Sequence, residues 1–295
     1  MDLYRYISFE EFMSIITLHH LHFVQPTQWE DSHEGSLYRL LDKKENKEIL
    51  LSMLYDRTKA KDENEKAHRI LLNYYKIMLV KYNWYGQCWT YKSNESDAFW
   101  RIYSHNRMAI RIHTTDSKLK DVLKPDKYLF KMKKVKYDED SSENDLLRKQ
   151  IEMVLKKNNT TESYFHKRKA FSHEQEYRVL VLPKKDYDDN GEGRNLFLES
   201  ATVFSQIQLK DRIKKSPIKN KEDCIAACME TIKAQRFELH KAPPLYISFE
   251  SASDIIDDVL ISPLAEDWYV KLVKKVCKDN GIECKGKSNL YDPVL

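Results

Sequence analysis

Short segments with strand-like alternation and longer segments with helical periodicity follow one another along this chain in an irregular order. Strands are predicted at 3–7, 21–24, 84–90, 108–113, 128–137, 174–183, 245–249 and 259–261. A doubly wound fold would alternate strand and helix regularly, and this chain does not. The pattern therefore predicts an α+β fold.

Helices are predicted after Ser8, which caps the first of them, at 97–104, near 144–157 and from Ser262 to Gly281, and two longer helical stretches lie between them. Apolar residues recur at helical spacing from 36 to about 82, and a more variable helical stretch is predicted at 209–238. We expect a single domain over residues 1–295, with 36–82 as a helical insertion. An Asp/Asn/Gly-rich turn is predicted at 187–194. Within 128–137 the alternation changes phase at Lys133 and Lys134, which predicts a β-bulge.

The composition of the chain argues against several classes of protein. Only 6 glycines occur in 295 residues, and no glycine-rich phosphate-binding motif is found, which argues against the common nucleotide-binding α/β folds. A net charge of +4 gives no reason by itself to expect a nucleic-acid partner. With 41% apolar and 33% charged residues and no apolar run near ~18 residues, we expect a globular protein that does not enter a membrane.

The five cysteines form no CxxC pair. Cys224 and Cys228 lie one helical turn apart, which could serve a metal, but no His or Asp joins them at ligand spacing. A helix carrying two small apolar side chains is the favoured interpretation, and no metal is predicted. The odd cysteine count and the lack of a recognisable signal peptide point to the cytoplasm.

Three charges alternate where a strand enters an apolar run. Glu174, Glu176 and Arg178 are expected on one face of this strand, and Tyr177, Val179 and Val181 on the other. One explanation is an edge-strand salt bridge, which contributes little to stability. The other is a site that stabilises positive charge developing on a sugar during C1–N or C1–O cleavage, with the arginine keeping a carboxylate ionised.

Further candidates lie at three places. Lys167 begins a basic run at 167–169, which could bind phosphate or be a solvated loop. Arg5 is a lone charge in the first strand, and its side chain could extend into solvent. Trp100 and Tyr103 share a helix face, where they could pack in the core or form a wall against a flat ring such as nicotinamide.

Several short motifs occur in a characteristic order. They are Tyr4-Arg-Tyr6, Trp29-Glu-Asp31, Cys88-Trp-Thr90, Trp100-Arg-Ile-Tyr-Ser104, Phe165-His-Lys167, Glu174-Gln-Glu-Tyr-Arg178 and a segment from Val259 to Trp268. Together they resemble a bacterial family known as domain of unknown function 2971, across nearly the whole chain. That family is similar to ADP-ribosyltransferase-like proteins, whose core is a pair of sheets gripping NAD in the cleft between them.

The resemblance implies split antiparallel sheets flanked by helices, with NAD as the substrate. The roles it implies are catalysis for Glu176, an acceptor-side function for Glu174, support of the nicotinamide ribose for Thr90, contact with nicotinamide for Trp100 or Tyr103, and contact with the pyrophosphate or adenosine ribose for Arg5. Arg178 is expected to orient the glutamates, and Lys167 to hold phosphates together with Arg5.

These observations lead to three hypotheses. The first is an NAD-consuming enzyme that transfers ADP-ribose to a nucleic acid or protein, or hydrolyses NAD, with a role as a toxin or phage-defence effector. The second is a non-catalytic sensor that binds a nucleotide or a nucleic-acid end in the same cleft. The third, a metal-dependent nuclease, lacks a clustered His/Asp ligand set in the sequence.

Overall fold

A computed structural model of the chain describes residues 1–29, 31, 34–103, 107–139, 141–157, 159–184, 194–234 and 243–292. The strands within these ranges are β1 (Asp2–Ile7), β2 (His20–Phe23), β3 (Tyr85–Thr90), β4 (Ile110–Thr115), β5 (Tyr128–Lys134), β6 (Lys136–Asp138), β7 (His166–Arg168), β8 (Glu176–Pro183), β9 (Leu245–Ser248), β10 (Asp258–Ile261) and β11 (Glu283–Lys287). The helices are α1 (Phe9–Leu18), α2 (Ser36–Leu40), α3 (Lys44–Arg57), α4 (Glu63–Met78), α5 (Val80–Asn83), α6 (Asp97–Ile102), α7 (Asp116–Val122), α8 (Glu143–Lys157), α9 (Arg194–Lys215), α10 (Lys221–Ala234) and α11 (Asp267–Asp279). The turn predicted at 187–194 lies outside the described residues except for its last position, as do residues 235–238 of the second helical stretch.

The described strands form one large sheet and two small ladders. The large sheet has seven strands in the order β11-β10-β4-β1-β3-β8-β5, and β2 pairs with β9 and β6 with β7. Neighbours in the large sheet are antiparallel except β10 and β11, which are parallel. Helices flank this sheet, so the predicted α+β class is confirmed.

The large sheet is divided between β1 and β3. Within the described residues these strands share one register pair, Tyr4 with Thr90. At the other end of β3, Gly86 exchanges both backbone hydrogen bonds with Val24, which follows β2. The two halves of the sheet are therefore joined at one end of this boundary, and β2 is hydrogen-bonded to β3 at the other end.

The two faces of the sheet are covered differently. One face packs against α1, α7 and α11 in a core that includes Leu3, Trp89, Tyr177, Val179 and Val181. On the other face, α6 covers β1 through Tyr6, Phe99 and Trp100. The helical layer formed by α2–α5 and α8–α10 covers the β3–β8 half. The β1/β3 boundary lies between α6 and this helical layer. The prediction that Tyr177, Val179 and Val181 share one face of their strand is confirmed, since all three pack in the first core.

The edge-strand explanation for the charges of β8 and the bulge predicted in β5 are both wrong. β8 lies between β3 and β5, so its charges do not form an edge-strand salt bridge. The register of β5 on β8 also runs without interruption from Tyr128 to Lys134, so the predicted bulge is absent from this described pairing. The phase of the alternation changes because the chain leaves the sheet after Val135, whose N–H still donates to the Glu176 carbonyl, and continues into β6, which pairs with β7.

Side-chain caps and turn residues fix several helix ends. The Ser8 hydroxyl accepts a hydrogen bond from the Glu11 N–H at the start of α1, as its sequence position predicts. α11 ends at Asp279, and Gly281 follows with a positive φ of 68°, which glycine adopts at little cost. None of the helices in the described part of the chain combines the length and apolar character needed to cross a membrane.

Cys284 is expected to be the most reactive of the five cysteines. It is half-buried on the edge strand β11, and a hydrogen bond from the Cys277 thiol lowers its pKa to about 6. Burial instead raises the pKa of Cys88. Peptide mapping after brief alkylation at pH 7 should therefore find the label first on Cys284, with a rate that falls as the pH drops through about 6. Equal labelling of Cys88 and Cys284 would contradict this, and Cys284→Ser provides the control.

Candidate functional site

The two predicted glutamates meet at one lysine. Glu174 ends a 3-10 turn at 169–174, and Gln175 then adopts a left-handed conformation with a φ of 44°, so the strand begins only at Glu176. The Nζ atom of Lys167 nevertheless lies 2.7 Å from Glu174 Oε2 and 3.5 Å from Glu176 Oε2. The prediction that Glu174 lies on the strand is wrong, but the two carboxylates do converge.

Arg178 is held from four sides. Its Nε donates to Glu176 Oε1 at 2.6 Å, and its Nη2 lies 3.0 Å from Glu34 Oε2. Its Nη1 donates to the Tyr164 carbonyl at 2.5 Å, and the guanidinium stacks 4.2 Å from the centre of the Trp29 ring. The Nη2 contacts are ion pairs without a hydrogen bond among the described residues. A guanidinium can contact several groups at once because its donors form a fixed planar fork.

Glu34 completes the ion network. Its second oxygen, Oε1, lies 2.8 Å from Lys167 Nζ, so Glu34 and Glu176 each contact both cations. Three carboxylates therefore share two cations, which leaves the cluster with a formal charge of −1. We call Glu34, Lys167, Glu174, Glu176 and Arg178 the glutamate cluster.

The glutamates of this cluster have opposite electrostatic environments. The side chain of Arg178 is 0% exposed, that of Glu176 5% and that of Glu174 23%. Burial by itself would raise the pKa of Glu176, but the adjacent Arg178 and Lys167 outweigh burial and hold this pKa below its usual range. For Glu174, burial dominates over Lys167 and raises the pKa. Glu176 is thus a fixed anion, and Glu174 is the carboxyl that takes up a proton more readily.

β3 supports the cluster from the next strand. Thr90 and Cys88 lie opposite Glu176 and Arg178 in the register, so their side chains share one face. The Thr90 hydroxyl donates to the Glu174 carbonyl at 2.7 Å, which fixes the turn before β8. The Thr90 hydroxyl thus already donates its proton to a backbone carbonyl. Support of a ribose by Thr90 stays a prediction.

Tyr103, which follows α6, lies within electrostatic reach of both halves of the divided sheet. The residue is 46% exposed, whereas desolvation of its hydroxyl raises the pKa of Tyr103 to about 12. The charges of Arg5 on β1 and of Glu174 and Lys167 beside β8 all act on this hydroxyl. Tyr103 is therefore close enough to Arg5, Glu174 and Lys167 for their charges to act on it.

Arg5 does not extend freely into solvent. Its Nη2 lies 2.8 Å from Glu11 Oε1 at the start of α1. Its Nη1 is buried and has no hydrogen-bond partner in the described part of the chain. The Arg5 guanidinium thus forms an ion pair through Nη2, and its Nη1 donors are left to contact another group.

Trp100 has a packing role. Its ring lies 4.8 Å from that of Tyr6, and its Nε1 donates to Glu95 Oε2 at 2.8 Å. It is almost fully buried in the small core beneath α6. Of the two aromatic candidates, Tyr103 is the one with an exposed ring.

Sequence reasoning did not identify Glu34, Tyr164 or Trp29 as part of the site. Trp29 belongs to a quoted motif, but its position over Arg178 depends on the approach of its indole to β3. A Cβ atom on Gly86 would lie 2.4 Å from the Trp29 ring, so this approach requires glycine. Glu34 and Tyr164 carry no local signal for ion binding.

The cysteine pair considered for a metal lies in a different part of the molecule. Cys224 and Cys228 are buried on α10, and the Cys228 thiol contacts the Ala67 carbonyl at 3.7 Å. No group of three or more His, Cys, Asp or Glu side chains is placed to hold a metal ion in the ranges that the structure describes.

The fold and site define an α+β protein with a mostly antiparallel sheet, which is divided between β1 and β3, and a buried carboxylate cluster on β8 beside β3. Residues 99–179 match the model of a family described as protein of unknown function (DUF2971), and the predicted family resemblance is confirmed over this segment. The segment runs from α6 into β8 and contains the candidates Trp100, Tyr103, Lys167, Glu174, Glu176 and Arg178. Comparisons with curated proteins and with solved structures gave no match.

Proposed function

We propose that the glutamate cluster is the active site of an NAD-consuming enzyme, which transfers ADP-ribose to a nucleic acid or protein or hydrolyses NAD. The observation that carries this proposal is the surplus carboxylate in this cluster. Three glutamates share Lys167 there, and of these Glu176 is enclosed by cations whereas Glu174 is partly exposed. A preorganised negative charge of this kind favours a reaction in which positive charge develops on the substrate.

Cleavage of the nicotinamide–ribose bond is such a reaction. The bonding electron pair leaves with nicotinamide, and positive charge develops at the ribose carbon, where Glu176 would stabilise it. The incoming hydroxyl or water forms the new bond to this carbon, and its proton passes to Glu174. The raised pKa of Glu174 suits it to accept that proton.

Groups around the cluster supply the binding functions. The exposed ring of Tyr103 offers a surface for the nicotinamide, and the unpaired half of Arg5 offers donors to the pyrophosphate. The division of the sheet beside β1 supports a relationship to ADP-ribosyltransferase-like proteins. We extend the proposal to a bacterial toxin or phage-defence effector, because uncontrolled NAD consumption harms a cell.

A non-catalytic nucleotide sensor is the second candidate. One observation favours it: both oxygens of Glu176 already face cations, Oε1 towards Arg178 and Oε2 towards Lys167. A substrate hydroxyl would have to replace the longer of these contacts, the one at 3.5 Å. A protein that only binds its ligand would not need that exchange.

One experiment separates these candidates. The full chain is incubated with NAD while released nicotinamide is measured by chromatography, and the unfolding temperature is measured in parallel samples. The enzyme hypothesis expects release, and the sensor expects a raised unfolding temperature without release. If NAD caused no nicotinamide release and no change in the unfolding temperature, both hypotheses would be contradicted.

Glu174 is expected to set the acid limb of the pH–rate profile. A general base must be ionised, so turnover should fall as the pH falls through the pKa of Glu174, which burial raises above its ordinary value. Glu176 remains ionised in this range because its pKa is lowered. Glu174→Gln should reduce turnover and abolish this limb. A Glu174→Gln profile with the wild-type acid limb would assign that limb to another group.

A further inference from the structure

A cavity lies beside the β6–β7 ladder. Its volume is about 260 Å³, and it is lined by residues of α2, α8 and the segment from β6 to β7, including Arg39, Gln150, His166 and Arg168. Lys167 also lines it, while its ammonium faces the glutamate cluster. The cavity is therefore separate from the proposed active site and connected to it through one side chain.

Buried polar groups at this cavity lack partners. The atoms Gln150 Oε1, His166 Nε2 and Arg168 Nε are buried without a hydrogen-bond partner in the described part of the chain. Gln150 is 3% exposed and His166 8%. His166 Nε2 lies 4.0 Å from Glu162 Oε1, which does not line the cavity. Native proteins leave few buried polar atoms unsatisfied, so the other two, Gln150 Oε1 and Arg168 Nε, indicate an occupant that supplies hydrogen bonds.

The charge balance of the lining selects an anion. Its carboxylates already have cations: Asp138 contacts His166 and Lys149, Glu139 contacts Lys169, and Glu143 contacts Lys43. Arg39 is half-buried and has no carboxylate partner among the described residues. Arg168 Nη2 lies 3.2 Å from Asp31 Oδ1, so the uncompensated charge among the described residues at this cavity is that of Arg39. Guanidinium donors suit the oxygens of a phosphate group.

The size of the cavity limits the ligand. Sites for drug-sized ligands have volumes of about 300–1,000 Å³, whereas a water molecule takes up about 30 Å³. The cavity volume of about 260 Å³ is larger than that of a single water molecule and too small for a dinucleotide, so the ligand is a small molecule. Gln150 Oε1 is an acceptor, which suits a hydroxyl group on the same ligand.

We propose that this cavity binds a small phosphate-bearing molecule, with the phosphate at Arg39 and Arg168 and a hydroxyl group at Gln150. The site is distinct from the one proposed for NAD, and it does not depend on that function. Ordered water alone would satisfy the buried atoms but would leave the Arg39 charge without an anion.

Titrations of the full chain with inorganic phosphate and with ribose 5-phosphate test this proposal, with ionic strength held constant by chloride. Binding is measured by calorimetry and by the unfolding temperature. We expect saturable binding of both, and Arg39→Gln should weaken it on the order of tenfold or more, because a charged hydrogen bond is lost. Gln150→Leu should weaken the binding of ribose 5-phosphate more than the binding of inorganic phosphate.

Arg148→Gln is the matched control, because Arg148 is an exposed arginine on the same helix as Gln150 and does not line the cavity. It should bind both probes as the wild type does. Circular dichroism without ligand verifies that each variant is folded. The absence of saturable binding, or equal weakening by Arg39→Gln and Arg148→Gln, would overturn the proposal.

Discussion

Replacing Arg178 with methionine is expected to lower the free energy of unfolding by about 3–5 kcal/mol. The reason is the pair of buried carboxylates, Glu34 and Glu176, which would lose one of their two shared cations while remaining almost inaccessible to water. The Tyr164 carbonyl would also lose its donor. Urea denaturation followed by circular dichroism measures this change.

An exposed arginine provides the control for this prediction. Arg69 pairs with Glu65 one turn away on α4, and 52% of its side chain is exposed. Arg69→Met should change the free energy of unfolding by less than about 1 kcal/mol, because solvent screens such pairs. If both variants lost similar stability, the glutamate cluster would not be the strongly coupled network described above.

Replacing Glu176 with glutamine is expected to slow nicotinamide release on the order of 10² or more. The substitution keeps the shape of the side chain and removes the charge that would stabilise the ribosyl cation. Because Arg178 would keep only Glu34 as an ionic partner, some loss of stability is also expected. Initial rates should therefore be compared at a temperature at which both proteins are fully folded.

A surface glutamate tests whether the effect is local. Glu143 forms an exposed pair with Lys43, and Glu143→Gln should release nicotinamide at the wild-type rate. Turnover by Glu176→Gln that equalled the wild-type rate would remove Glu176 from the mechanism.

Local patterns predicted the elements that build the site. The alternation from Tyr177 to Val181 identified β8, because one side of that strand packs in an apolar core. Ser8 marked the start of α1 through the hydrogen bond that its hydroxyl accepts. Such signals are readable because their partners are near in sequence.

Partners distant in sequence could not be predicted. Glu34 joins the cluster because the strand order brings its segment beside β8, and nothing in its own neighbourhood signals this contact. The bulge expected at Lys133 was wrong for a related reason. A change of phase in one strand looks the same as the passage of the chain into a second ladder, here β6 with β7.

Burial also separated candidates that the sequence treated alike. Trp100 and Tyr103 share a helix face in the sequence pattern, but the packing of α6 on Tyr6 encloses the first and leaves the second ring exposed. The depth of a side chain depends on the whole tertiary structure, so helical periodicity cannot supply it.

A comparison of Glu176→Gln with Glu34→Gln tests the central claim most directly. Both glutamates are buried and both contact Lys167 and Arg178, so the two variants should lose similar stability. Nicotinamide release is measured for both and for the wild type at a temperature at which all three are folded. The account predicts that Glu34→Gln retains most of the turnover and that Glu176→Gln loses nearly all of it. Equal losses in the two variants would show that the cluster only maintains the fold, and would contradict the proposed chemistry.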